Sequence, residues 1–300
     1  MATLLQRVKS KIAIFAHRKA RGMLDGEYGS VFRGRSLDFD DLRAYVPGDE
    51  VRDIDWKASA RHGSPLIRRY VAVRRQTVLL VTDTGRNMAA EARSGEAKKD
   101  IAVLSLGVLG YLALRHGDVV GMVCGDSAAT RSFPAKGGEA HLERLLRHVD
   151  SHTGLDAPGS SIRDQLDYIA RNISGRHLLF VVADELAADD ATGRLLRRLR
   201  AQHEILWLTV RDAELVPPPL ADARLQRSGD SYSVADSSLL AWQPATSSVV
   251  AAAYAAAAKD RDAARKAMLQ SAGITEGEVA GSGDVIASLF ALLERHRRAG

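Results

Sequence analysis

The sequence predicts an α/β fold, a doubly wound and mostly parallel sheet with helices on both faces. Three observations predict it. From residue 76 onward, short continuous apolar runs alternate with longer helical patterns, the order of a parallel sheet wound by crossover helices. The runs TVLLVTD (77–83), HLLFVVAD (177–184) and EILWLTV (204–210) are apolar at consecutive positions, as strands covered on both faces must be. Hydrophobic residues make up 46% of the 300 positions and charged residues 26%, the balance of a soluble protein with a sizeable core.

Each element follows in order. Residues 1–24 mix Lys and Arg with apolar residues and lack a signal-peptide apolar region, so they read as an amphipathic helix packing on the fold rather than lying on a membrane surface. Residues 25–75 are rich in Gly, Asp and Arg, and their short apolar pairs and VPGD turn (46–49) suggest brief strands. The main domain spans 76–240. After TVLLVTD comes a long helix over 96–116, apolar nearly all round and therefore central. Strands DVVGMVCGD (118–126) and TRSFPAK (130–136) follow, then helices over 139–151 and 161–173 around the loop TGLDAPGSS (153–161). Beyond HLLFVVAD lie the amphipathic helix ATGRLLRRLRAQH (191–203) and EILWLTV. The run PPP (217–219) closes that unit, and SYSVAD (231–236) reads as a short edge strand. Residues 241–300 read as C-terminal helices on the same domain, over 247–271 and 284–298.

Several function classes are excluded. Cys124 is the single cysteine, so no internal disulfide can form and no disulfide-linked partner is expected; it reads as core in a reducing compartment. The most apolar helical stretch, Ile101 to Leu114, has 14 residues, short of the roughly 20 that span a bilayer. No G-x-x-x-x-G-K-[ST] or G-x-S-x-G occurs, so no P-loop nucleotide and no hydrolase elbow is expected. No H-E-x-x-H occurs either, and His141 and His148 read as surface residues. Residues 1–75 hold 16 Lys/Arg against 9 Asp/Glu. Their signs alternate along the block, which favours internal ion pairs over a phosphate-tracking stripe. Nucleic-acid binding through this basic quarter stays as an alternative.

Ligands of such sheets sit at the carboxyl ends of the strands, where the strand order reverses. Asp83 and Asp184 end two of the apolar runs. Each alone could be a helix cap or loop acid. Together with Ser160 and Ser161 they make an oxygen-ligand site for Mg²⁺ or Mn²⁺ conceivable. The segment DTGRNM (83–88) resembles the first metal-binding motif of von Willebrand factor A domains, D-x-S-x-S, and with it the fold class becomes von Willebrand factor A-like. That resemblance implies a metal-ion-dependent adhesion site in which Asp83 matches the first Asp, Ser160 or Ser161 stands for the second-loop Thr, and Asp184 matches the third-loop Asp. The two Ser positions are Gly85 and Asn87. Glycine offers no ligand and Asn a single amide oxygen, so the site implied is a degenerate one of Asp83, Asn87, Ser160 and Asp184.

A longer resemblance lies upstream. Residues 33–70, RGRSLDFDDLRAYVPGDEVRDIDWKASARHGSPLIRRY, resemble the signature of domain-of-unknown-function family 58. It runs approximately G-R-G-x-E-F-x-x-x-R-x-Y-x-x-G-D-x-x-R-x-I-D-W-x-x-S-A-R-x-G. The matches are Gly34, Arg35, Phe39, Arg43, Tyr45, Pro47, Gly48, Asp49, Arg52, Ile54, Asp55, Trp56, Ser59, Ala60, Arg61 and Gly63; Ser36 and Asp38 depart from it. Members carry this block ahead of a von Willebrand factor A-like domain and are typically bacterial, often encoded beside MoxR-type AAA+ ATPases. The resemblance therefore implies a short, soluble, cytoplasmic form serving as a non-enzymatic adaptor or accessory protein of such an ATPase.

The block itself allows two readings. Its charges could staple it to the sheet with Trp56 and Tyr45 as buried anchors. Alternatively Arg43, Tyr45, Asp49, Arg52, Asp55, Trp56 and Arg61, with Thr84 in the crevice, form a partner surface, since Trp, Tyr and Arg dominate interface energetics. A metal-dependent phosphoester hydrolase at the same carboxylates is the enzymatic alternative; its general base would have to be Asp126 or Glu185.

Overall fold

The computed structural model describes residues 3–18, 41–47, 49, 51, 54–69, 75–213, 231–235, 238–240 and 248–299. Its frame is a six-stranded sheet. The strands are β3 (Thr77–Asp83), β4 (Val119–Gly125), β5 (Thr130–Lys136), β6 (Leu178–Ala183), β7 (Glu204–Val210) and β10 (Thr275–Val279). Their spatial order is β10-β7-β6-β3-β4-β5. Every pairing is parallel except that of β5, which runs antiparallel to β4 at the edge. The chain starts in the middle, winds outward through β4 and β5, then returns to lay β6 on the other side of β3. That reversal puts the switch point between the carboxyl ends of β3 and β6.

Alternation within the strands feeds two cores. Val78 and Leu80 of β3, with Leu178, Phe180 and Val182 of β6, face one core; Leu79 and Val81, with Leu179 and Val181, face the other. The first core is covered by α1 (Leu4–Arg18), α3 (Lys98–Arg115), α4 (Glu139–His152) and α8 (Val285–Ala299). The second is covered by α5 (Ile162–Asn172), α6 (Asp190–Gln202) and the last turns of α7 (Ser248–Ser271). Helix α3 is buried almost all round, which is why its sequence lacks a polar face. Helix α1 buries Leu5, Val8 and Ile12 in the first core, and the Glu143 carboxylate of α4 accepts the Leu4 and Leu5 N–H groups at 3.3 and 2.8 Å. A carboxylate at that helix start meets the positive end of the dipole. Among the described residues, no helix is long and apolar enough to cross a membrane.

Upstream, β1 (Asp41–Ala44) pairs antiparallel with β2 (Leu66–Arg69), and the short helix α2 (Trp56–His62) lies between them in sequence.

The sequence reading needs four corrections. The segment SYSVAD does not join the main sheet: among the described residues β8 (Ser231–Ser233) pairs only with β9 (Ser238–Leu240). The C-terminal segment is not purely helical, because β10 adds a parallel strand against β7. Strand β10 was hidden by Glu276 and Glu278, which break any apolar run; both meet Arg265 of α7, itself 1% exposed. His141 is buried rather than on the surface, with Nε2 3.0 Å from the Val120 carbonyl; His148 is half-buried. Trp56 is 67% exposed, so it is no buried anchor, and Tyr45 is only half-buried. PPP (217–219), Arg52 and the side chain of Arg43 lie outside the described residues.

Candidate functional site

Three loops meet at the switch point. The first follows β3: Thr84 and Gly85, then a 3-10 turn over Arg86–Ala89. The second follows β4, residues 126–129. The third precedes α5, residues 157–161. Backbone hydrogen bonds knit them together, Thr84 N–H donating to Gly125 O at 2.7 Å, Arg86 N–H to Pro158 O at 3.0 Å and Ser127 N–H to Gly159 O at 2.8 Å.

Asp83 lies at the centre, 1% exposed. Its Oδ1 accepts the Gly85 N–H at 2.5 Å. Its Oδ2 is buried and has no hydrogen-bond partner. Ser160 and Ser161 stand close enough to favour the ionised form in part, yet neither meets Oδ2 in hydrogen-bonding geometry. Burial wins over them and pushes the Asp83 carboxyl up to about 6, with the Asp126 charge adding in the same direction.

Gly85 explains how the loops fit. A Cβ there would lie 2.6 Å from Ser160 Cα and 2.7 Å from Ser160 N and Oγ. The third loop therefore fills the space a serine side chain would need. Ser160 Oγ accepts the Asn87 N–H at 3.2 Å, which joins those two predicted residues. Thr84 is 3% exposed, so its side chain is not presented to a partner.

Asp184 is handled differently. Lys98, the first residue of α3 and 1% exposed, places Nζ 2.9 Å from Asp184 Oδ2 and also against Asp212 Oδ1. Burial pushes the Asp184 carboxyl up while Lys98 pulls it down; the two carboxylates hold the Lys98 ammonium charged above its usual range. Sequence reasoning missed Lys98. One signal was available, since a cation in a first helical turn opposes the helix dipole and needs a reason. Asp212 and Asp184 are that reason.

The side chains present do not fit a divalent cation bridging the two strand ends. Asp184 already has its positive charge in Lys98, position 85 supplies no side-chain oxygen and has no room for one, and the Oδ2 of Asp83 is sealed from the surface. Among the described residues, no three His, Cys, Asp or Glu side chains gather as a metal-ligating group. The residues considered for a general base are engaged elsewhere: Asp126 Oδ1 accepts the Ala128 and Ala129 N–H groups, and Glu185 sits 3.3 Å from Arg211 Nε. Cys124 is buried, and burial pushes its thiol up to about 12, far from a nucleophile's range.

In the upstream block, Asp55 Oδ1 accepts the Lys57 and Ala58 N–H groups and so caps α2. Asp49 Oδ2 accepts the Val46 N–H, closing the predicted turn. Arg61 and Trp56 stand exposed on α2.

The chain is similar to several known proteins. The uncharacterized protein Rv1480 of Mycobacterium tuberculosis is 31% identical over 218 residues, 70% of this chain and 66% of that protein. The chain thus spans just under two thirds of the length of that relative. The uncharacterized protein YeaD of Bacillus subtilis is 25% identical over 108 residues, 36% of this chain and 25% of that protein. Among solved structures, an aerotolerance-related membrane protein from Bacteroides fragilis superposes with a TM-score of 0.44 at 13% identity, over 73% of this chain and 99% of that one. A von Willebrand factor type A protein from Catenulispora acidiphila gives 0.39 at 10% identity, over 76% of this chain and 43% of that one. Residues 41–231, which hold the later part of the upstream block, the switch point and five of the six sheet strands, match the family described as "Protein of unknown function DUF58", and the chain belongs to that family.

Proposed function

We propose that the protein is a non-catalytic interaction module that docks a partner at the switch-point crevice, and that the partner is a MoxR-type AAA+ ATPase which it serves as a cytoplasmic adaptor. The observation that carries the reading is the crevice at the switch point, where Asn87 and Ser160 are half-buried and joined by a hydrogen bond, within reach of a partner. Asp83 is sealed beneath the surface and shapes the crevice by accepting the Gly85 N–H, so a partner would hydrogen-bond to Asn87 and Ser160 at the mouth instead. With Lys98 already neutralising Asp184, docking needs no divalent cation.

The test is direct binding of a purified MoxR-type AAA+ ATPase from the same organism, with and without EDTA. The expected result is a loss of about tenfold in affinity for Asp83→Ala, at about 1.4 kcal/mol per factor of ten, and no effect of EDTA. Equal binding by the wild type and Asp83→Ala would remove the crevice from the reading. Loss in EDTA would restore the metal site.

A further inference from the structure

Helix α2 is seven residues long and has no buried residue. A helix that short contributes little stability of its own, yet this one is held firmly. Asp55 caps its start. Gly63 ends it in the left-handed conformation, φ 79°, donating its N–H to Ser59 O at 2.9 Å. Ser59 Oγ donates to Asp55 O at 2.7 Å and accepts the Leu66 N–H at 2.8 Å, tying the helix to β2. Asp55, Ser59 and Gly63 are thus accounted for as scaffold. Two other signature residues, Trp56 and Arg61, have no such task.

What the scaffold displays is unusual for a surface. Of the seven large hydrophobic residues exposed among the described positions, Leu42, Val46, Val51 and Trp56 fall within this one block. Single exposed apolar residues are ordinary, but four of the seven fall between residues 42 and 56, which singles this stretch out. Trp56 starts the helix, and Ala60, one turn on and exposed, lies on the same side of it. Lys57 and Arg61, also one turn apart, are exposed, and among the described residues neither side chain has a charged or hydrogen-bonding partner. The segment WKASARHGS (56–64) contains no acidic residue.

We propose that α2 is a preformed docking element for an acidic protein surface, with Trp56 as the apolar anchor and Lys57 and Arg61 pairing with carboxylates beside the pocket that receives it. Tryptophan and arginine are the residues that most often carry interface energy, and a rigid element loses little entropy on binding. Two exposed cations on one short helix with an indole suit a few carboxylates; a nucleic-acid backbone would call for a longer positive track. This surface is separate from the crevice reading and does not depend on it.

The test is photo-cross-linking in cells from Ala60→p-benzoylphenylalanine in the full chain, with the same probe at exposed Leu155 as control. The expected product is a cross-link from position 60, absent from position 155, to a protein segment carrying acidic residues. Its yield should fall about tenfold with Trp56→Ala, and likewise with Lys57→Glu plus Arg61→Glu, at about 1.4 kcal/mol per factor of ten. Because those side chains are exposed, the variants should keep the wild-type melting temperature. No cross-link above the control, a cross-link to lipid, nucleic acid or a segment without acidic residues, or a yield indifferent to charge reversal would each overturn the proposal. Whether the captured protein is an AAA+ ATPase bears on the crevice reading alone.

Discussion

Asp83→Asn should make the protein more stable at neutral pH. The carboxyl of Asp83 moves from an ordinary 3.8 to about 6 on folding because burial disfavours its charge. The folded state therefore binds more protons than the unfolded state between those two values. Its contribution is fully present below pH 3.8 and is lost as pH rises through about 6. A shift of about two units, at about 1.4 kcal/mol each, is about 3 kcal/mol of stability forgone at pH 7. Asparagine keeps the shape and the acceptor for the Gly85 N–H while removing the charge. At roughly 2–4 °C per kcal/mol, the variant should melt roughly 6–12 °C above the wild type at pH 7.5, and the gap should close by pH 4. The assay is thermal unfolding of both proteins from pH 4 to 8, read as the difference between the two curves. The difference is needed because Asp262, lowered to about 2 by its ion pairs, drives stability the opposite way with pH. A gap that does not change between pH 4 and 7.5, or a variant less stable than the wild type at pH 7.5, would refute the reasoning.

Three further outcomes follow from the same geometry. Gly85→Ser, which restores the serine of the adhesion motif, should destabilise by roughly 1–3 kcal/mol, because its Cβ would press on the Ser160 backbone 2.6 Å away; calorimetry should detect no Mg²⁺ binding gained. Lys98→Met should cost about 3 kcal/mol by stranding Asp184, more at pH 8 than at pH 5, and Asp184→Asn in the same chain should recover much of it in chemical denaturation. Glu143→Ala should cost about 1 kcal/mol and raise amide hydrogen exchange at Leu4 and Leu5, whose N–H groups lose their acceptor.

The sheet was legible because its strands carry little but apolar residues. Burial on both faces leaves a signal of composition alone, and β3 and β7 matched their predicted ranges. Where burial relies on ion pairs the signal vanishes, as in β10, whose glutamates pair with an arginine on another element. The site was half legible. Asp83 and Asp184 could be placed at the strand ends by pattern. That they have different surroundings could not, because Lys98 reaches Asp184 from a helix start 86 positions earlier. Trp56 failed for another reason: a large aromatic residue is buried far more often than displayed, and no periodicity exists in a seven-residue helix to say otherwise.

Strand β10 also decides how the molecule must be cut. The family match ends at residue 231, before β10 begins. A fragment trimmed there would bare the edge of β7, EILWLTV, which has no proline and no charge beyond its first residue. The two natural edges are guarded, β5 by Pro134, Arg131 and Lys136 and β10 by Glu276 and Glu278. An unguarded apolar edge is a template for strand addition between molecules. Such a fragment would aggregate, and its insolubility would report a missing neighbour rather than an unstable fold.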